Sequence, residues 1–131
     1  MESGLGRAVV LVGLAAAVTP RWAAAAPHGR TTKMHGLQAG NAMGVNTWAA
    51  FAGADDLAVV DGDFAMLESE LQALVKALRS ANINVVAIHQ HMTGEQPRIM
   101  FLHYWGVGTT QDLARGLRAA LDRTATRVGS R

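Results

Sequence analysis

Apolar residues are concentrated in two short runs of the chain, each bounded by polar residues, and this pattern predicts a pair of β-strands. The stretches are Asn84–His91 and Arg98–Trp105, and the segment between them, Thr93–Pro97, contains the glycine and proline typical of a turn. Two earlier stretches, 47–52 and 57–66, have the same β-branched and aromatic character and predict two further strands. A glycine inside the second of them indicates a bulge or a bend.

Helical spacing of apolar residues predicts two helices. The first spans residues 68–80, with Glu68 and Glu70 in its first turn and Arg79 in its last, where the helix dipole favours each charge. The second begins after Thr109 or Thr110 and carries leucines at every fourth position over 113–121. The order β-β-α-β-β-α predicts an α+β fold, in which a small, mostly antiparallel sheet carries both helices on one face.

The N-terminal segment, residues 1–25, has the layout of a signal peptide. An apolar run over 8–18 is followed by small residues at 23–26, and cleavage after Ala25 is favoured because Pro27 directly follows Ala26. The run is too short to span a bilayer. The alternative is a buried N-terminal strand or helix, which the weak positive charge of the segment favours.

The remaining chain divides into three parts. Residues 26–41 are predicted as a linker or loop with room for a short strand at 32–35, residues 42–126 as the α+β domain, and residues 127–131 as a tail. A signal peptide implies a secreted, periplasmic or cell-envelope protein, and its absence implies a cytoplasmic one.

Composition narrows the chemistry. The chain has no cysteine, which excludes disulfides, thiolate metal sites and cysteine nucleophiles. A formal net charge of +2, without a run of basic residues, argues against a nucleic-acid partner. With 131 residues, of which 50% are hydrophobic, the chain has enough apolar material for one domain with a core.

Three histidines in the last two predicted strands are the main candidates for chemistry. His89 and His91 point to one face of their strand because residues two apart share a face. A hairpin centred near Gln96 places His103 opposite His89. All three histidines are then predicted on the side away from the helices, because the other face, which suits packing against the helices, carries Val86, Ile88, Met100 and Leu102. Three imidazoles that converge in this way form the first shell of an open metal site, for which zinc is the default ion.

Nearby polar and aromatic residues complete this candidate site. Glu95, Glu70 and Asp63 are candidates for a fourth ligand or a general base acting on metal-bound water. Arg98 and Trp105 are candidates to line the pocket. If the domain is an enzyme, metal-assisted hydrolysis or a lyase reaction is the natural class.

Other interpretations of the same residues remain open. The domain is alternatively a non-catalytic module that binds cell-wall glycan, another small molecule or a metal ion. A third alternative is a structural domain whose histidines form only a hydrogen-bonded polar cluster. Glu68 and Glu70 are also explained by the helix dipole alone. The spacing His89-x-His91-x-x-x-Glu95 matches the first half of the cupin metal motif, but the two predicted helices exclude that all-β fold.

Residues from about Gly40 to Asp122 resemble the LppY/LpqO-like family, a group of mostly bacterial proteins classed as a domain of unknown function. The resemblance rests on four stretches and a closing helix over 113–121: Met43–Phe51, Val60–Glu70, Val86–Met92 and Glu95–Gly106. It implies little about activity, since members are labelled lipoproteins or peptidoglycan-binding without an established reaction. The chain departs from the family at Gln90, where the family has Asn, and in the lack of the family's opening helix and strand. Without cysteine it cannot be a lipoprotein.

Overall fold

The structure is a computed structural model that describes residues 9–11 and 30–124. Its strands and helices are β1 (Val9–Leu11), β2 (Thr32–Met34), β3 (Leu37–Ala39), β4 (Trp48–Gly53), β5 (Ala58–Met66), α1 (Leu71–Ser80), β6 (Asn84–His89), β7 (Met100–Gly108) and α2 (Thr110–Leu121). The strands of the main sheet lie in the order β1-β4-β5-β7-β6, and every neighbouring pair is antiparallel. The predicted α+β class is confirmed, and β4 to α2 reproduce the predicted order.

Both helices pack on one face of the sheet. The shared core contains Leu102 and Tyr104 of β7, Leu74 and Leu78 of α1, and Leu117 of α2. Successive strand residues point to opposite faces, so the neighbours Phe101, His103 and Trp105 lie on the other face. The prediction that the histidines lie on the side away from the helices is therefore confirmed for β7. We call this side the open face.

Helix α1 ends as its sequence predicts. Asn82 adopts a left-handed conformation with φ of 56°, which asparagine tolerates better than most residues. The backbone N–H of Ile83 donates to the carbonyl of Leu78 at 3.0 Å, which satisfies one of the last carbonyl groups of the helix. Ile83 is fully buried, so the chain enters β6 directly from the core.

The stretch 26–41, predicted as a linker or loop with room for a short strand at 32–35, contains a hairpin whose first strand is β2. Strands β2 and β3 pair as a separate two-stranded sheet around His35 and Gly36, whose φ angles of 49° and 82° fit a tight two-residue turn. Thr32 is buried and its hydroxyl donates to the carbonyl of Pro97 at 2.6 Å. The polar composition of the stretch hid the hairpin, since one of its anchors is a hydroxyl rather than an apolar side chain.

The predicted signal peptide overlaps the first strand. β1 pairs with β4, with Val9 opposite Phe51 and Leu11 opposite Ala49, at one edge of the main sheet. The rest of residues 1–25 and the tail 127–131 lie outside the described residues. No helix in the described part of the chain is long and apolar enough to cross a membrane.

Candidate functional site

The open face carries three cross-strand rows that contain the candidate residues. One row places Ala87 of β6, His103 of β7, Asp63 of β5 and Trp48 of β4 side by side. The next row joins Trp105 to Asp61, and on the other side of the His103 row His89 lies opposite Phe101. The site therefore lies across the middle of the sheet.

The pairing of β6 with β7 differs by two residues from the predicted one. His89 lies opposite Phe101 and not opposite His103, which faces Ala87. Both strands were predicted too long at the turn: β6 stops at His89 and β7 starts at Met100, so the connection includes His91 and Arg98. Because the shift is an even number, His89 and His103 keep the same face of the sheet. They are diagonal neighbours rather than direct partners.

His89 and His91 form a contacting pair. Their Nε2 atoms are 3.1 Å apart, and both rings lie against Phe101, with ring centroids 5.7 Å and 3.5 Å from its own. Phe101 is buried, so it provides a fixed platform for two imidazoles. The Nδ1 atom of His89 is buried without a hydrogen-bond partner. The role of Phe101 was not predicted, although the strand period places it on the same face as His103.

His103 lies between two carboxylates. Its Nδ1 is 3.2 Å from Asp63 Oδ2, and its Nε2 is 3.1 Å from Asp61 Oδ1. The Asp63 side chain is 13% exposed and that of Asp61 is 53% exposed. Asp63 Oδ1 is buried and has no hydrogen-bond partner. Asp63 was proposed for the site from the sequence, and Asp61, two residues earlier on β5, contacts the same imidazole.

This arrangement restricts what can occupy the space between His103 and Asp61. Ionised carboxylates only accept hydrogen bonds. If His103 donates its Nδ1 proton to Asp63, the Nε2 lone pair faces a carboxylate oxygen at 3.1 Å. Two acceptors repel at this distance, so a proton on Nε2 or a cation must lie between them. The pair can therefore hold a proton or a metal ion.

The other two acidic candidates lie in different surroundings. Glu95 lies in the connection between β6 and β7, is buried, and its Oε2 has no hydrogen-bond partner. Both oxygens of Glu70 instead accept bonds from Arg30 at 2.7 Å, and Oε2 also accepts the backbone N–H of Leu67 at 2.8 Å. These contacts give Glu70 a structural role at the start of the helical segment.

The two pocket candidates are both exposed. Arg98 donates to the side-chain oxygen of Gln90 at 3.1 Å, so this hydrogen bond joins the two ends of the connection between β6 and β7. Trp105 is two residues from His103 on β7 and is 46% exposed. It lies next to Asp61 on the open face.

Tyr104 supports the site from the opposite face of the sheet. Its hydroxyl donates to the carbonyl of Trp48 at 3.0 Å, passing Gly62, where any side chain would collide with it. Burial raises the pKa of Tyr104 far above its usual value, and the charges of Asp63 and Asp61 raise it further. The phenol therefore stays neutral in the folded protein.

We expect Tyr104 to make the protein sensitive to alkaline pH. Because its pKa is higher in the folded chain, the stability it contributes is complete below the unfolded pKa of about 10 and is lost as the pH rises above it. Tyr104 is the single tyrosine, so phenolate absorbance reports it alone. Phenolate is expected to appear only with unfolding, and Tyr104→Phe to remove about 1.4 kcal/mol per pH unit from the alkaline slope of the unfolding free energy. Phenolate that forms near pH 10 in protein that is still folded contradicts this.

The three histidines do not share one site as they stand. Across residues 9–11 and 30–124, no three histidine, aspartate or glutamate side chains are arranged to hold a metal ion together. The structure instead brings together two pairs of donor atoms, His89 with His91 and His103 with Asp61.

One comparison with known proteins gives a match. A family model described as "Domain of Unknown Function (DUF1259)" matches residues 13–123, which is most of the chain. No curated protein and no solved structure matches significantly.

Proposed function

The chain belongs to this family of unknown function, and we propose that it binds a divalent transition-metal ion, zinc by default, on its open face with His89, His91 and His103. One observation carries the proposal: two pairs of donor atoms on one sheet face, each with its atoms 3.1 Å apart. Donors bound to one zinc ion at 2.0–2.1 Å are about 3.4 Å from each other in a tetrahedral shell. Both pairs therefore have nearly the spacing of ligands of one ion.

The sheet geometry lets the two pairs approach one ion. His89 and His103 are diagonal neighbours across the β6–β7 ladder, and such residues have Cα atoms about 7–8 Å apart and Cβ atoms somewhat closer. Imidazole rings that extend from both positions can meet between the strands. The step requires the side chains of His89 and His91 to turn toward the Nε2 of His103, because the two pairs are separate in the structure.

Two carboxylates have complementary roles in this proposal. Asp63 accepts the Nδ1 proton of His103, which fixes the ring and leaves Nε2 for the ion, as is usual for metal-bound histidines. Asp61 and Glu95 are the candidates for an oxygen ligand or a general base. Glu95 is favoured by its buried, unpartnered oxygen, and Asp61 by its distance of 3.1 Å from His103 Nε2.

The chemistry would be that of an open histidine site. A bound zinc ion with three imidazole ligands supplies an activated water, whose pKa falls toward about 7. A hydrolytic or lyase reaction is the corresponding class if the domain is an enzyme. Asp63 would hold His103 in place, and Asp61 or Glu95 would accept a proton from that water.

Zinc titration of purified, chelator-treated protein tests the proposal. The wild type is expected to bind one ion per chain, and His89→Ala, His91→Ala and His103→Ala to weaken binding by more than 100-fold each. Asp63→Asn is expected to weaken it by about 10- to 100-fold, the usual effect of removing the partner of a metal-bound histidine.

His35→Asn provides the matched control. His35 is an exposed histidine in the turn of the β2–β3 hairpin, and asparagine tolerates its positive φ. The proposal is supported if His35→Asn retains zinc binding while His89→Ala, His91→Ala and His103→Ala lose it. Binding that survives both His89→Ala and His103→Ala contradicts it and leaves the histidines as a hydrogen-bonded polar cluster.

We also propose that the chain is an LppY/LpqO-like protein and that it is exported. The stretches that resemble the LppY/LpqO-like family contain all three histidines, which supports the proposal that the chain belongs to that narrower group. Export rests on the signal-like pattern of residues 1–25, and cleavage after Ala25 would remove β1 from the edge of the sheet. Mass analysis of the exported protein tests this: a chain that starts at Ala26 supports export with cleavage, and one that retains Met1 contradicts it.

A further inference from the structure

The open face has an exposed apolar patch directly beside the proposed metal site. Its members are Val59 of β5 and Trp105 and Val107 of β7, which are 44%, 46% and 49% exposed. Val59 and Val107 are direct cross-strand partners, and Trp105 is the next outward residue along β7. We call these three residues the shelf. Contiguous exposed apolar surface of this kind often marks a binding site.

The shelf is continuous with the polar pair at the metal site. Trp105 is the direct partner of Asp61, whose carboxylate contacts His103, and His103 is two residues from Trp105 on the same strand. Outward residues two apart on a strand are about 7 Å apart. From His103 the face therefore changes from polar to apolar within one step, and the apolar part extends for about 7 Å more, from Trp105 to Val107.

The neighbouring strand leaves this surface accessible. The outward residues of β4 beside Asp61 and Val59 are Ala50 and Ala52, which are too small to cover the shelf. A ligand can therefore lie flat along β7 with one end at His103.

We infer that the ligand of this site is a small amphipathic molecule with an oxygen-donor head, such as a carboxylate, and an apolar body. This rests on the proposed metal function, since the ion at His103 would bind the head. The shelf would bury the body against Trp105, Val59 and Val107. A second copy of the chain fits less well, because a two-fold contact would bring two exposed Asp61 carboxylates into one interface.

Straight-chain carboxylates from acetate to octanoate are suitable probes. Titrated by NMR into zinc-loaded protein, they are expected to bind more tightly with length, by about two-fold per methylene, or half the free energy of a fully buried methylene. The gain should end when the chain passes Val107. In Val59→Thr/Val107→Thr protein the affinity should change little with chain length, since threonine keeps the shape of valine but adds a hydroxyl.

Ile88→Thr is the matched control for this double variant. Ile88 is a similarly exposed β-branched residue, but it pairs with Leu102 and so lies on the helix side of the sheet. It should leave the dependence on chain length unchanged.

The outcomes separate this inference from the metal proposal. Zinc binding without any dependence of affinity on chain length overturns the inference alone. If the wild type does not bind zinc, both the metal proposal and this inference are overturned. Sedimentation provides the last outcome. If the protein forms concentration-dependent dimers and Val59→Thr/Val107→Thr abolishes them, the occupant of the shelf is a second copy of the chain, and the inference of a small ligand is overturned.

Discussion

Gly62→Ala is expected to lower the unfolding free energy by about 3 kcal/mol or more, at the upper end of the usual cost of overpacking. A Cβ atom at this position would collide with the backbone oxygen of Trp48 and with the hydroxyl and ring of Tyr104. Neither neighbour can give way cheaply, because Trp48 belongs to the paired strand β4 and the Tyr104 ring is buried in the core. A small domain has only about 5–15 kcal/mol of stability, so this loss is large.

Gly108→Ala is the matched control. It is also a strand glycine, but a Cβ there meets only Leu113 side-chain atoms at 3.7 Å or more, which is ordinary contact. Urea unfolding followed by circular dichroism should show a large fall in midpoint for Gly62→Ala and a change of less than about 0.5 kcal/mol for Gly108→Ala. Equal midpoints for the two variants would contradict the close approach of Tyr104 and Trp48 at Gly62.

Arg30→Ala should also cost about 3 kcal/mol, the lower end of the range for removing one partner of a buried ion pair. Arg30 binds both oxygens of Glu70 and donates to the carbonyls of Ala65 and Thr124 at 3.0 and 2.5 Å. The Arg30 and Glu70 side chains are only 17% and 12% exposed, so removing the arginine takes the ion-pair partner from a nearly buried carboxylate. Arg30→Lys should not restore stability, because two guanidinium nitrogens donate to separate partners, Nε to Ala65 and Nη2 to Glu70 and Thr124, and one ammonium cannot replace both.

Arg115→Ala is the control for charge alone. Arg115 pairs with Asp112 at 2.7 Å on the exposed surface of α2, where such pairs contribute about 0–1 kcal/mol. Thermal unfolding should therefore separate the two arginine variants clearly. A Tm for Arg30→Ala as high as that for Arg115→Ala would contradict the structural role of the Arg30–Glu70 pair.

Strand period was enough to predict which face the histidines occupy, but not their partners. His89 and His103 lie on the predicted face because a shift of register by two residues preserves it. The error arose in the connection between β6 and β7, which makes contacts with residues far away in sequence, such as that of Pro97 with Thr32. Such contacts cannot be predicted from the local pattern of hydrophobic and polar residues.

The irregularity in β6 shows a second limit of the pattern. The register shifts between Val85 and Ala87, so Val85 packs against the helix core while Val86, predicted to do so, is exposed. One inserted residue reverses the faces beyond it, and nothing in a run of β-branched residues marks where it falls. Gly62 is the opposite case: a bulge or a bend was predicted there, but the register of β5 with β4 and β7 is continuous through Gly62, and the glycine provides space for Tyr104.

X-ray absorption spectroscopy of the zinc-loaded protein tests the central claim most directly, because it counts the atoms bound to the ion. The account predicts three histidine nitrogens at about 2.0–2.1 Å in the wild type and two in His103→Ala. A wild-type shell of oxygen atoms alone, or the same number of histidine nitrogens in both proteins, would contradict the claim that these three imidazoles hold one ion.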